Sequence, residues 1–202
     1  MGSYRQFGVT VMQILSSPFY GVSGDYYSIA TVSVSASSQN TLTFSSIPST
    51  YKHLQIRITG RSTGAYTYSS VYVVANSDTG LHYTYHTLYG QGGSPSSGGR
   101  GTGSDTAFVA QNIAGNTSAT SNFGGLIIDI LDYANTDKYK VFRSIGGYNN
   151  NGSGSPTGTI NLNSCVWFGS TGSSKEAITS LSLLTDGDFK QYSHAALYGI
   201  KG

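Results

Sequence analysis

The feature that most constrains this chain is an alternation of apolar and polar residues with a period of two. It is clearest in residues 53–59, where Leu54, Ile56 and Ile58 are separated by polar residues. Successive side chains of a β-strand point to opposite faces of the sheet, so this period predicts a strand with one buried face. The segment 195–202 has the same pattern, and it predicts that Ala196, Tyr198 and Ile200 share a core-facing side.

Composition extends this prediction from single segments to the whole chain. Charged residues make up 10% of the sequence, against roughly 25% in typical soluble domains. Glycine (27 residues) and tyrosine (16 residues) are abundant, which suits tight turns and pleated sheets better than helices. Two hundred and two residues suit one domain of this class. We therefore expect an all-β fold, a single jelly-roll-like antiparallel β-sandwich of about eight to ten strands.

The first 24 residues differ from the rest of the chain. They are apolar in alternation, and Pro18, Gly21 and Gly24 separate them from the main body of the sequence. We predict that residues 1–24 form either an N-terminal arm or the first strand, and that residues 25–202 form the β-sandwich domain. As an arm, the segment would dock on a neighbouring subunit or on a shell beneath it. The residues predicted to make that protein contact are Phe7, Val9, Val11, Ile14 and Leu15.

Within the main domain, two glycine- and serine-rich tracts, 90–103 and 146–158, are predicted to be exposed loops. The nearly continuous apolar run 126–133 is predicted to be a central strand covered on both faces, paired with residues 138–145. Ile160 and Leu162 are predicted to form a further short strand.

Two phrases carry a resemblance to a known group of proteins. They are residues 43–57, reading TFSSIPSTYKHLQIR, and residues 195–202, reading AALYGIKG. Together they resemble the β-sandwich structural proteins of tailed bacteriophages, many from phages of cyanobacteria, which include capsid decoration (cement) proteins and tail-fibre or tail-tip proteins. The likeness runs loosely from Tyr26 to Gly202.

The resemblance implies a non-enzymatic virion structural protein, a capsid decoration protein on the outer surface of the shell, synthesised in the host cytoplasm. The implied partners are the major capsid protein and further copies of the chain, in a homotrimer. The scarcity of charge agrees with this, because surfaces with few ions readily accept burial against another protein. The alternative is a tail-fibre or tail-tip receptor-binding domain, whose tyrosines and glycine-rich tracts would recognise a host surface glycan.

Residue patterns typical of catalysis are weak in this sequence. Residues 60–64 match the nucleophile-elbow pattern around Ser62, but no helical period comes after them. His82 and His86 have zinc-ligand spacing only if they lie on a helix, and a strand spreads them about 13 Å apart. We predict no catalytic residues.

Pairs of aspartates are the remaining candidates for acid–base chemistry. Asp186 and Asp188 flank a glycine in a turn, which leaves a calcium site open although the full twelve-residue loop is absent. Asp129 interrupts the apolar run 126–133, where it would need a partner, and Asp132 lies near its end. We predict no metal site and no cofactor.

Charge and hydropathy exclude two further classes of partner. A formal net charge of +2 is too small for an electrostatic hold on nucleic acid, and no apolar stretch is long enough for a membrane span. The single cysteine, Cys165, lies in an apolar stretch and is predicted to be a buried hydrophobe. Neither nucleic acid nor a membrane is therefore an expected partner.

Overall fold

The computed structural model describes residues 25–151 and 157–202, and these residues contain strands and no helix. The prediction of an all-β fold is confirmed. The strands are β1 (Tyr26–Ser33), β2 (Ser38–Gln39), β3 (Leu42–Phe44), β4 (His53–Gly60), β5 (Tyr68–Ala75), β6 (Tyr83–Gln91), β7 (Ser94–Asp105), β8 (Phe108–Ala114), β9 (Gly124–Leu131), β10 (Lys140–Asn149), β11 (Gly158–Trp167), β12 (Leu181–Thr185), β13 (Phe189–Lys190) and β14 (His194–Ile200).

The described strands form three antiparallel sheets. The large sheet has the order β1-β14-β4-β9-β10-β11-β6-β7, and the small sheet has the order β3-β12-β5-β8. A third sheet pairs β13 with β2. This is consistent with a sandwich, whereas jelly-roll connectivity stays a prediction. The predicted number of eight to ten strands is wrong, because the described residues contain fourteen. Part of the excess comes from β2 and β13, which have two residues each, from β7, which was predicted to be a loop, and from β8, where no strand was predicted.

The core lies between the inner faces of the large and small sheets. Strand β4 contributes Leu54, Ile56 and Ile58, all buried as the alternation predicted, and the small sheet contributes residues such as Val73 and Leu183. Burial of each aliphatic side chain of this size stabilises the fold by about 1.5–3 kcal/mol. The inner face of the large sheet is thereby fixed, and the same alternation leaves its outer face without cover from the small sheet.

Strand β9 is central in the large sheet, but it is not covered on both faces. It pairs with β10 as predicted, yet its burial alternates, and Ile127 is 39% exposed. Asp129 lies on the same outer face and is half-buried there, so it does not interrupt a buried run. The physical reason is that the described part of the chain places a second layer on only one side of β9.

The predicted short strand at Ile160 and Leu162 is confirmed as part of β11, and its inward side is polar. Ile160 and Leu162 point outward, whereas Asn161 and Asn163 are buried. The Asn163 amide donates to the Ser144 hydroxyl (2.9 Å) and to a backbone carbonyl of β8, which offsets part of the cost of burying it. A strand whose inward side is polar cannot be oriented from hydropathy alone.

The side of β14 that faces the core is the opposite of the predicted one. Ala195 and Leu197 are fully buried, whereas Ala196, Tyr198 and Ile200 are half-buried on the outer side. Both sets are apolar, so a period of two does not distinguish them. Pairing with β4 decides the matter, because Leu197 lies opposite Ile56 and therefore shares its inner face.

The tract 90–103, predicted to be a loop, is mostly a β-hairpin. Its residues end β6 and form β7, joined by a turn in which Gly92 has a positive φ of 58°. Among the described strands, β7 pairs only with β6 and forms an edge of the large sheet, with almost every residue exposed. The second predicted loop, 146–158, is likewise strand up to Asn149 and from Gly158.

Candidate functional site

The outer face of the large sheet carries a line of exposed aliphatic side chains. Leu88, Leu162, Ile145 and Ile127 are consecutive register partners across β6, β11, β10 and β9. They are 60%, 52%, 54% and 39% exposed, respectively. At about 4.8 Å per strand, this apolar row spans roughly 14 Å. Isolated surface aliphatics are ordinary, whereas four of them in register on adjacent strands form a contiguous apolar patch.

One register step further along the strands, Ile160 extends the apolar row. It is 71% exposed, and its neighbours in that line are Gly90 on one side and Gly147 and Gly125 on the other. A side chain added at Gly90 would meet no atom within 4 Å. The Ile160 side chain therefore projects from the sheet with only glycines as its neighbours in that line.

On the other side of the apolar row lies a polar line. It contains His86, Ser164, Arg143, Asp129 and Gln55, again as consecutive register partners. Arg143 lies 4.0 Å from the Asp129 carboxylate, and the Gln55 amide donates to that carboxylate at 2.8 Å. Both signs of charge are therefore present beside the apolar row.

A shallow depression of about 710 Å³ joins the two lines. Its lining includes His86 and Arg143 from the polar line and Leu88 and Leu162 from the apolar row. An interface commonly combines an apolar centre with a polar rim, and this part of the sheet has that arrangement.

Next to the apolar row, a cation–π cluster joins β4 to β14 and β1 on the same face. The Arg57 guanidinium lies 5.2 Å from the Tyr198 ring centroid and 5.8 Å from that of Tyr26. Arg57 is also the register partner of Ile127. Two of the sixteen tyrosines therefore hold an arginine on the outer face, beside the exposed aliphatic residues.

The residues predicted to make the protein contact lie outside the described part of the chain. They are Phe7, Val9, Val11, Ile14 and Leu15. The division into an N-terminal segment 1–24 and a main domain therefore stays a prediction.

The nucleophile-elbow pattern lies in a buried segment that is hydrogen-bonded to other parts of the chain. Ser62 is fully buried, and its hydroxyl pairs with Thr185 (3.0 Å) and accepts from the Gly64 amide (3.0 Å). The preceding residue, Arg61, is also buried, and its guanidinium donates to backbone carbonyls of residues 116–122. Sequence reasoning missed Arg61, although a lone arginine in a glycine-containing turn of a charge-poor chain was a signal.

The two spaced histidines have unrelated surroundings. His82 Nδ1 lies 2.9 Å from the buried carboxylate of Asp78, which also accepts from the indole N–H of Trp167 at 2.7 Å. His86 belongs to the polar line on the outer face. Asp78 therefore links β11 to the turn before β6, an arrangement that sequence spacing did not indicate.

The aspartate pairs are divided among separate partners. Asp186 accepts from the Tyr72 hydroxyl at 2.6 Å, and burial together with this bond raises the pKa of Tyr72 to about 12. Asp188 accepts from the Ser38 hydroxyl at 2.9 Å. Asp132 lies beside Lys138 (2.6 Å) and Lys52 (3.1 Å), which lower the pKa of its carboxyl to about 2. Each carboxylate thus ties different chain segments together.

The burial of Cys165 is a further prediction that the described residues test. Cys165 is buried as predicted, and burial raises the pKa of its thiol. No group of three or more metal-ligating side chains occurs in residues 25–151 and 157–202. The same residues contain no helix long and apolar enough to cross a membrane.

Comparison with known proteins leaves the site geometry as the basis for a functional assignment. No family model, no curated protein and no solved structure matches this chain.

Proposed function

We propose that this chain is a non-enzymatic structural protein of a virus particle, a capsid decoration protein that binds the major capsid protein. The observation that carries the proposal is the apolar row with Ile160 on the outer face of the large sheet. A rigid sheet presents these side chains at fixed spacing, so docking them costs little conformational entropy.

The partner assigned to this face is a capsid subunit. The apolar row is about 14 Å long and bordered by residues of both charge signs, which suits the centre of an interface of about 800 Å² per partner. Symmetry would repeat such a contact many times over a shell, so each one need only be moderate in strength. The virion context comes from the resemblance of residues 43–57 and 195–202. Formation of a homotrimer through other surfaces belongs to the same proposal.

The test replaces the two central side chains of the apolar row without disturbing the fold. The double variant Ile145→Thr/Leu162→Thr keeps two strand-compatible side chains at exposed positions, so we expect its stability to stay within about 1 kcal/mol of the parent. It should lose binding to purified source particles from which this chain has been stripped. A matched control is Leu81→Thr, because Leu81 is 58% exposed but precedes β6 and lies off the row.

The outcomes separate clearly. Loss of binding in the double variant with retention in the control supports the assignment. Equal binding by both variants removes the apolar row from the contact. Breakdown of the oligomer in the double variant, seen by light scattering, would instead assign this face to contacts between copies of the chain.

A second candidate is a receptor-binding domain of a tail fibre or tail tip. One observation favours it, a neutral cavity lined by Tyr68 and Tyr89 at one end of the sandwich. Quantitative mass spectrometry of the source particle distinguishes the two candidates: hundreds of copies per particle support the shell, and a dozen or so support the tail.

A further inference from the structure

A cavity of about 240 Å³ lies where β6 and β11 of the large sheet meet β5 and β8 of the small sheet. Two tyrosines, Tyr68 and Tyr89, and three amides, Gln91, Gln111 and Asn112, line it. None of the lining side chains carries a formal charge at neutral pH. The cavity is separate from the apolar row, which lies on the outer face.

The three amides have no partner of their own. Within the described residues, the side chains of Gln91, Gln111 and Asn112 make no hydrogen bond, although Asn112 is 93% buried (7% exposed). Gln91 and Gln111 are half-buried, and no side-chain nitrogen or oxygen of the three amides is among the fully buried atoms without a partner, so these groups reach the cavity surface, where each offers two donors and an acceptor. Three such groups around one cavity therefore indicate a ligand that both donates and accepts hydrogen bonds.

A β-bulge directs one of these amides toward the cavity. Val71 pairs with Gln111 and the next β5 residue pairs with Val109, so Ala110 is the extra residue of β8. Gln111 has a φ of 71°, a conformation that a residue with a Cβ rarely adopts. The backbone carbonyl of Ala110 accepts from the Ser144 hydroxyl and from the Asn163 amide of the large sheet, and these two bonds hold the bulge in place. Bulges of this kind commonly re-aim a side chain beside a functional site.

The polar character continues behind the cavity. Thr159 lines the cavity, and its hydroxyl accepts from the side-chain amide of Asn161 at 3.3 Å. The side-chain carbonyl oxygen of the fully buried Asn161 has no partner among the described residues. Buried polar atoms without partners are few in native proteins, and each calls for an explanation such as a water or a ligand.

We infer that this cavity binds one ring of a neutral sugar. A pyranose has hydroxyls that donate and accept, which match the amides, and apolar C–H faces, which match tyrosine rings. The absence of charged lining residues disfavours phosphates, carboxylates and cations. The volume equals that of about eight waters, enough for one ring and too small for an enclosed oligosaccharide. The inference is independent of the capsid role proposed above.

The test uses the intact protein and a panel of monosaccharides. Methyl glycosides of glucose, galactose and mannose, together with N-acetylglucosamine, are titrated while NMR follows the side-chain NH₂ signals of Gln91, Gln111 and Asn112. Glucose 6-phosphate serves as the charged comparator. At least one neutral sugar should shift these signals with a dissociation constant of about 1–10 mM, the range open to so small a ligand.

The decisive variant is Gln111→Gly. It removes the amide and also relieves the positive φ, so we expect unchanged or raised thermal stability together with at least about tenfold weaker sugar binding. Ser121→Gly is the matched control, because Ser121 also has a positive φ (59°) but does not line the cavity. It should leave sugar binding unchanged.

Three results would overturn the inference. One is the absence of any shift with every sugar up to about 50 mM, which would leave ordered water as the occupant. Another is stronger binding of glucose 6-phosphate than of every neutral sugar. The third is full binding by Gln111→Gly, since the sugar would then lie elsewhere. None of these results bears on particle binding by the apolar row.

Discussion

Replacing Arg61 should destabilise this protein more than replacing any other single charged residue. Arg61 as a residue is 6% exposed, and its guanidinium donates to four carbonyls, those of Ala119 (2.6 Å), Asn122 (3.1 Å), Asn116 (3.1 Å) and Ser118 (3.0 Å). All four belong to the connection between β8 and β9. Burial lowers the pKa of the Arg61 guanidinium.

The magnitude is set by the four contacts. A hydrogen bond from a charged donor contributes about 1.5–3 kcal/mol, so the four together set an upper bound of about 6–12 kcal/mol if the carbonyls stayed buried. The connection lies at the surface, and its carbonyls recover water once the arginine is gone. We therefore expect Arg61→Met to cost about 3–5 kcal/mol, and Arg61→Lys, whose single ammonium reaches fewer carbonyls, to cost about 2 kcal/mol.

The assay is urea denaturation monitored by the fluorescence of Trp167, the only tryptophan and a buried one. Amide hydrogen exchange adds a local measurement: the amide of Asn116, which donates to the Gly64 carbonyl, should lose protection earlier than amides in β4. A loss below about 1 kcal/mol for Arg61→Met would refute the reasoning, because it would mean that the four contacts contribute almost nothing net.

Three further predictions rest on single features. The pKa of Asp132 is lowered from an ordinary 3.8 to about 2, so its ionised carboxylate stabilises the fold fully above about pH 4, and this stabilisation is lost as the pH falls toward 2. In urea titrations over that range, the stability of Asp132→Asn should therefore fall less with acid than that of the parent. The Cys165 thiol, buried and with a raised pKa, should react with iodoacetamide only when the protein unfolds, and rapid labelling of the native protein would contradict its burial. An added Cβ in Gly147→Ala would overlap the carbonyl oxygen of Thr159, so thermal denaturation should show a loss of at least about 3 kcal/mol, and a neutral result would contradict the tight β10–β11 contact.

Hydrophobic periodicity predicted the fold class and the middle of the large sheet. Leu54, Ile56 and Ile58 are buried together, and the pairing of residues 126–133 with 138–145 appears as β9 with β10. These segments have one strongly apolar side or a short connection, so local pattern and global packing agree.

The same reasoning failed where the inner side of a strand is polar. In β11, the buried Asn163 amide donates to Ser144, a residue nineteen positions away, while apolar Ile160 and Leu162 remain outside. Sequence pattern ranks the two sides of such a strand in the wrong order, because the partner that compensates for burial of an amide is not local.

The candidate site was beyond sequence reasoning for a related reason. Leu88, Leu162, Ile145 and Ile127 come from four strands, and only the register brings them side by side. Each residue alone is typical of a core position. Which face of the large sheet the small sheet covers depends on how the two sheets are placed, and the alternation does not contain that information.

The pairing of β1 with β14 has a consequence for how the chain reaches its folded state. Tyr26 lies opposite Ile200, so the first described strand cannot join the sheet until residues 194–200 have been synthesised. Closing so long a loop is slow, and contacts of high sequence separation lower folding rates. During translation, β1 therefore stays without its partner strand in the large sheet until residues 194–200 have left the ribosome.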